Sequence, residues 1–329
     1  MEVDFQFRAR ELFSSLMIMP NRNFIQNISQ WNLDRILSVV GPTGSGKTST
    51  VLNFVKSVFP DPRVPLLVSV DSVAVFQEIS IGTSKPMGIE RDPFDWAGLD
   101  LFSVSFKPSA KDYYEKVWPK IQQTASENRP IVLVGGSHFY EKVLVEGFRP
   151  GTESDEDYIF SLKEYSSLHL WENLKKQDPR WGSSLHINDR YRLERYSDLV
   201  IRQGLTYDSL KGLGQSANIG GVGSLQINTI DTLVLGLNCP PDVTESLLKD
   251  RIIQMLEQGW IEECQRLLFE GLSPDCPGFQ SVGYREVVEF LLAGKVQSRD
   301  FLTKEILISH RQLAKKQRTW LRGLLNQGM

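Results

Sequence analysis

Ile36-Leu37-Ser38-Val39-Val40-Gly41-Pro42-Thr43-Gly44-Ser45-Gly46-Lys47-Thr48 is the stretch that decides the fold. Its first five residues are apolar except for Ser38, the pattern of a strand buried on both faces. The next eight match GxxxxGK[ST], a glycine-rich loop that stands after a strand and before a helix. Such a loop turns successive backbone N–H groups and a helix N-terminus toward one point, and both favour an anion. Gly41, Pro42, Thr43, Gly44, Ser45, Gly46, Lys47 and Thr48 are therefore expected to hold phosphate groups, with Lys47 as a point charge and the Thr48 hydroxyl as a ligand for Mg²⁺. The loop reads phosphates and ignores what they are attached to.

Outward from this loop, short apolar runs recur at 66–70, 131–134 and 232–237, with helix-length segments between them. That alternation predicts an α/β fold, a P-loop NTPase-like parallel sheet flanked by helices. Between about 150 and 228 the strands stop, and helix-like stretches appear over 155–176 and 188–203. The expected organisation is an N-terminal extension over 1–34, a catalytic core over 35–149 and 229–329, and a helical insertion over 150–228. Asp242 and Glu245 have the spacing of an N-cap and N3 pair for a helix that Gly259 closes. The Gly- and Ser-rich stretch 212–224 predicts a mobile loop.

A net charge of -3 excludes a protein that coats nucleic acid indiscriminately, so any RNA contact must come from local patches. Cys239, Cys264 and Cys276 contain no CxxC pair, which argues against a disulfide framework or a zinc site and for a reducing cytoplasm. No apolar run approaches the roughly 18 residues of a membrane span. The opening stretch, with Glu2, Asp4 and Glu11 among its basic residues, has the character of neither signal nor anchor.

Past the second strand, Val70-Asp71-Ser72-Val73-Ala74-Val75-Phe76 is followed by Ile81-Gly82-Thr83-Ser84-Lys85-Pro86. Here the sequence resembles the tRNA dimethylallyltransferase (tRNA isopentenyltransferase) family, whose pattern is a strand ending in DSxxxY and then IGTxKP. Four more blocks match in order: GGSHFY from Gly135 to Tyr140, NDRYRLER from Asn188 to Arg195, SVGYRE from Ser281 to Glu286, and RQLAKKQRTWLR from Arg311 to Arg322. The resemblance spans about residues 36–323.

It implies a prenyltransferase that moves a dimethylallyl group from dimethylallyl diphosphate to N6 of an adenosine next to the anticodon of tRNA, position 37. The P-loop then holds the donor's diphosphate rather than ATP, and Lys47, the loop amides and Mg²⁺ stabilise the charge that grows on the leaving group. An exocyclic adenine amine is a poor nucleophile because its lone pair is delocalised into the ring. Asp71, at the carboxyl end of a strand beside the P-loop, is placed to accept its proton. The other reading of Asp71 is the acidic residue of an ordinary P-loop NTPase, holding Mg²⁺ through water. The family motifs also place Thr43 and Ser137 near the reacting groups, Ser72, Val73 and Ala74 against the tRNA, and Arg251 on the donor diphosphate. On its own, Arg251 would be an exposed helix arginine.

Arg311, Lys315, Arg318 and Arg322 recur at helical spacing as one stripe, with Leu313, Trp320 and Leu324 on the opposite side. One face should pack on the body, and the other meets solvent or tRNA phosphate. Arg192 and Arg195 on an insertion helix would add tRNA contacts. An adenine must be unstacked before it reacts, and Phe76, Phe139 and Tyr140 are candidates to stack on it, with core packing the competing role for Tyr140.

The sequence departs from the family at Phe76 (usually Tyr), Ser137 (usually Thr), Trp96-Ala97 (usually paired histidines) and Tyr196-Ser197-Asp198 (usually Ala-Leu-Glu). Three other functions compete: prenyl transfer to free adenine nucleotides, a P-loop kinase or NTPase, and a non-catalytic tRNA-binding relative. The expected protein is a cytoplasmic monomer with Mg²⁺ as cofactor, and tRNA and dimethylallyl diphosphate as partners.

Overall fold

Ile36–Val40 (β2), Leu66–Val70 (β3) and Ile131–Gly135 (β5) are strands in which every residue is buried, as continuous apolar runs require. The computed structural model describes residues 23–24, 36–146, 154–212, 232–294 and 298–327. Most of the N-terminal extension and of the 212–224 loop lies outside these residues.

With Asn23–Phe24 (β1), Asp95–Ala97 (β4) and Thr232–Asn238 (β6) the sheet has six strands in the order β1-β6-β2-β5-β3-β4. β2 to β6 run parallel, and β1 pairs antiparallel with β6 at one edge. The P-loop helix Lys47–Val58 packs Val51, Leu52, Phe54 and Val55 against Leu37, Leu67, Val132 and Leu235 of the sheet. β4 has no sequence signal, being three residues long and opening on an aspartate. It exists because β3 offers it an edge, with Leu67 opposite Trp96 and Val68 opposite Ala97.

The chain divides into two compact units, residues 1–147 with 229–329, and residues 148–228. In the second unit the expected long helices are broken. Ser166 caps a fresh helix, Ser167–Gln177, by accepting the N–H of His169, so the helix over 155–176 is in fact Glu156–Ser161, a short 3₁₀ turn and this second helix. The segment over 188–203 is the helix Arg190–Ser197 followed by a π turn, Asp198–Arg202. The buried Asp198 holds Arg195 at 2.7 Å and also Arg202. Leu170, Leu174, Trp181 and Leu193 form this unit's own core.

In the first unit the helix Pro241–Glu257 starts two residues earlier than an Asp242 cap requires, its N-cap being Pro240. Pro241 takes the first helical position, where its missing N–H is no loss, and Asp242 lies within the first turn. Two further helices, Trp260–Phe269 and Tyr284–Leu292, grip the Ile81-Gly82-Thr83 turn. Glu263 accepts the N–H groups of Ser80 and Ile81, and the Tyr284 hydroxyl accepts that of Gly82 at 2.9 Å while donating to Glu263 at 2.7 Å.

Trp260, fully buried, lies so close to Gly82 that a β-carbon there would come within 2.1 Å of its ring. Gly82→Ala should therefore overpack this contact and lower unfolding stability by about 1–3 kcal/mol. Denaturant melts of the variant and the parent measure this directly, and an unchanged midpoint would show that the turn yields.

Candidate active site

The P-loop follows β2 and closes at Gly46, whose left-handed backbone (φ 77°) caps the Lys47–Val58 helix. From behind, the helix Pro241–Glu257 leans on the loop: a β-carbon on Gly44 would sit 2.9 Å from Leu248 and 3.3 Å from Thr244. Lys47 Nζ donates to the Pro42 carbonyl at 2.8 Å. Desolvation pulls this ammonium down from 10.5 to about 8, the Asp71 carboxylate works against that fall, and Arg251 adds to it.

Thr43, Gly44, Gly46, Lys47, Thr48, Asp71, Ala74, Gly135, Gly136 and Arg251 line one cavity of about 900 Å³. Asp71 reaches it from β3, which is not the neighbour of the P-loop strand, because β5 lies between them. Asp71 Oδ1 accepts the N–H groups of Val73 (2.8 Å) and Ala74 (3.2 Å), which fixes the carboxylate. Its other oxygen has no protein partner among the described residues and is available to a ligand. Arg251 is not the exposed helix arginine of the competing reading. It is half-buried in the cavity wall, makes no hydrogen bond or ion pair among the described residues, and has its pKa lowered by desolvation against the pull of Asp71.

Other predicted residues fall elsewhere. Ser72 is exposed, Val73 half-buried, and Ser137 gives its N–H to the Val70 carbonyl at 3.1 Å, at the head of the helix His138–Glu146. Phe76 is only 3% exposed, so it packs in the core and offers no face to an incoming base. Tyr140 is likewise buried, stacked on Tyr113 with ring centroids 3.9 Å apart. Of the three aromatic candidates only Phe139 is exposed, at 64%, with the His138 ring beside it at a centroid distance of 4.0 Å.

Arg311, Lys315, Arg318 and Arg322 line a second groove, of about 620 Å³, with Pro241, Thr244, Glu245 and Leu248. The stripe is not uniform. Lys315 and Arg322 are exposed, Arg311 pairs with Glu245 at 3.3 Å, and Arg318 is half-buried and donates to Thr244 Oγ1 at 2.8 Å. The inward seam of the helix Arg299–Gln327 also differs from the expected Leu313, Trp320 and Leu324. It runs through Leu302, Ile306, His310, Ala314 and Leu321, while Leu313 and Trp320 are half-buried and the Leu324 side chain lies outside the described residues. In the second unit Arg192 is exposed beside Asp189, whereas Arg195 is committed to Asp198.

Gln317 was not among the expected site residues. Its Oε1 accepts the Thr43 N–H at 2.7 Å, and its Nε2 donates to the Gly136 carbonyl at 3.0 Å. A lone glutamine on a helix carries no sequence signal of which distant loops it joins. Lys85 is buried and pairs with Asp100 at 2.5 Å, so it braces the cavity wall. Among the described residues no helix is long and apolar enough to cross a membrane, and Cys239, Cys264 and Cys276 are free and buried.

The model of the IPP transferase family matches residues 74–324. The tRNA dimethylallyltransferase of Francisella tularensis subsp. novicida is 30% identical over 88% of this chain and 90% of its own length. That of Bdellovibrio bacteriovorus is 29% identical over 87% and 89%. Among solved structures, the full-length tRNA isopentenylpyrophosphate transferase of Bacillus halodurans is 26% identical, with a TM-score of 0.59 over 88% of this chain and 87% of that one. A eukaryotic dimethylallyltransferase acting on tRNA shares the fold at a TM-score of 0.71 and 22% identity, over 87% of this chain and 69% of that one.

The lowered Lys47 sets a pH dependence. Below about 8 the empty site already carries the Lys47 proton, and above it an anionic ligand must bring that proton in. Affinity for dimethylallyl diphosphate should therefore hold steady up to about pH 8 and then fall toward about tenfold per pH unit. Titration calorimetry across this range tests it, with Lys47→Arg, which stays charged throughout, expected to flatten the fall. An equally steep fall in that variant would assign the effect to another group.

Proposed function

Since the chain belongs to the IPP transferase family, we propose that it transfers the dimethylallyl group of dimethylallyl diphosphate to N6 of an adenosine next to the anticodon of tRNA. The observation that carries this reading is the meeting of Lys47, Arg251 and Asp71 on one cavity. Two cations suit a leaving diphosphate, and one carboxylate with an uncommitted oxygen suits the proton of an amine.

In the transfer the N6 lone pair forms a bond to the first carbon of the prenyl chain. The bond from that carbon to the diphosphate oxygen breaks, and its electron pair leaves with the diphosphate. Lys47, Arg251 and the N–H groups of the loop stabilise the added charge, and Asp71 takes the proton that N6 gives up. Thr43 holds the loop in shape through its backbone.

Mg²⁺ fits this site through the Thr48 hydroxyl, which lines the cavity at the head of the helix. Among the described residues no cluster of three metal-binding side chains exists, so the ion would share its coordination with the donor's phosphate oxygens. Bound there, it would offset phosphate charge.

The groove lined by Lys315, Arg318 and Arg322 is the proposed track for tRNA phosphates, and Phe139 the proposed stacking face. Thr244 and Leu248 form the wall between this groove and the P-loop, which brings RNA and donor onto opposite sides of one helix. In the insertion, Arg192 is the better-placed contact, and Arg195 shapes the helix that carries it. The groove favours tRNA over free nucleotides, which would have no use for it. One chain supplies donor site, base and groove, consistent with a monomer, and three buried thiols suit the cytoplasm.

Incubating the protein with dimethylallyl diphosphate and unmodified tRNA, then weighing the nucleosides, is the direct test. Asp71→Asn should leave donor and tRNA affinity nearly unchanged and slow single-turnover transfer by about 10²-fold or more. A collapse of donor affinity would instead make Asp71 a metal-shell residue. Lys315→Gln/Arg322→Gln, both exposed, should weaken tRNA binding and reduce its log–log salt slope by about 0.7 to 0.9 per lost contact, with donor affinity unchanged. An unaltered slope in a well-folded variant would reduce the stripe to a solvated face.

A further inference from the structure

We propose that Gln317 restricts the P-loop to two phosphates: its carboxamide occupies the place of a third and so turns nucleoside triphosphates away. This deepens the reading of the loop as a diphosphate site and rests on it.

Pro42 has no N–H, so Thr43 carries the first backbone donor of the loop after Gly41. That donor is taken. Gln317 Oε1 lies 2.7 Å from the Thr43 nitrogen, where an oxygen of a phosphate using the same N–H would have to be. Two acceptor oxygens cannot share that position. At its other end the carboxamide donates to the Gly136 carbonyl at 3.0 Å, and the opposite demands of an N–H and a carbonyl allow only one orientation of the amide.

Nor is the side chain on a loose support. Its helix is anchored by Arg318 on Thr244 at 2.8 Å, and Ala314 and Leu321 on either side of it are buried. Thr244 and Leu248 in turn press on Gly44. Gln317 is therefore clamped between the P-loop and the turn after β5, with its end in the cavity wall.

In a nucleotide-binding P-loop the amides near the helix N-terminus cradle the inner phosphates, and the lysine reaches toward the outer ones. The track then runs back toward the strand. Ser45 gives its own N–H to the Pro42 carbonyl at 3.2 Å, so the amides of Gly44, Gly46, Lys47 and Thr48, with the Lys47 and Arg251 side chains, remain for a diphosphate, and the strand-side end is closed by a neutral amide. A cell rich in ATP would otherwise fill this loop with the wrong ligand. Gln317 excludes it by occupying space and by removing a donor, without a repulsive charge that would also weaken the diphosphate.

The probes are inorganic diphosphate and inorganic tripolyphosphate, each titrated with Mg²⁺ into the full chain. The parent should bind tripolyphosphate at least tenfold more weakly than diphosphate, and Gln317→Ala should narrow that ratio by tenfold or more. A general loosening of the loop would weaken both anions together and leave the ratio alone, so the ratio separates selectivity from structural damage. Equal affinity in the parent overturns the inference without any variant, and an unchanged ratio in a folded Gln317→Ala overturns it as well. Prenyl transfer to tRNA by the parent is measured alongside. Transfer with an unselective loop defeats this inference alone, and a selective loop without transfer defeats the functional reading alone.

Discussion

An ammonium group set into a protein wall loses hydration worth several kcal/mol, and Lys47 recovers only part of it from the Pro42 carbonyl and from Asp71 across the cavity. Arg251 brings a second cation to the same wall and opposes the first. Two cations facing one carboxylate leave a local excess of positive charge that an anion neutralises. The empty cavity is thus the less favourable state of the cluster, and binding a diphosphate restores the balance. In the proposed transfer the same residues would face the charge that develops as the diphosphate departs, so the electrostatics of binding and of bond breaking would be one arrangement.

Holding that arrangement requires parts of the chain that are far apart in sequence. The loop itself is local, but Arg251 arrives from the helix Pro241–Glu257, Asp71 from a strand two positions across the sheet, and Gln317 from the last helix. Glu263 and Tyr284 fix the Ser80–Thr83 wall through hydrogen bonds to backbone that would otherwise be unpaired. Among the described residues none of these supports makes a side-chain hydrogen bond or ion pair with the P-loop strand. The cavity therefore forms only when the segment after the insertion has packed back on the sheet, which couples the integrity of the donor site to the helices that carry the basic groove.

Motifs that are local in sequence were legible, and features that depend on packing were not. Gly41 to Thr48 showed the phosphate loop, and four continuous apolar runs showed β2, β3, β5 and β6, because a strand buried on both faces has a composition of its own. β4 was invisible, since Asp95-Trp96-Ala97 pairs only because β3 needs a neighbour. The stripe from Arg311 to Arg322 was found by helical spacing, yet spacing does not say which cation turns inward. Arg318 does so because Thr244 offers it an oxygen, and the seam rotates accordingly to Ala314 and Leu321. Phe76 failed as a stacking candidate, whereas Tyr140 took the core-packing role set against stacking from the start: an aromatic in a motif carries no mark of which side of the sheet it faces. Gln317 lay within a matched block, but its reach across to Thr43 is a fact of tertiary structure.

The replacement of the family's paired histidines by Trp96 and Ala97 can now be placed. Both sit on the edge strand β4, opposite Leu67 and Val68, and neither belongs to the Lys47, Arg251 and Asp71 cluster. Ala97 is buried, and Trp96 packs against the core beneath the P-loop helix while lining the cavity with Leu52 and Val134. Two titratable rings have thus become a bulky apolar wall with a single polar atom. That atom, the indole N–H of Trp96, is buried and has no hydrogen-bond partner among the described residues. An unpaired buried donor costs about 1–3 kcal/mol, a cost that an acceptor in the cavity would remove. The substitution leaves the charged cluster of Lys47, Arg251 and Asp71 in place and sets the shape and polarity of a different part of the cavity wall.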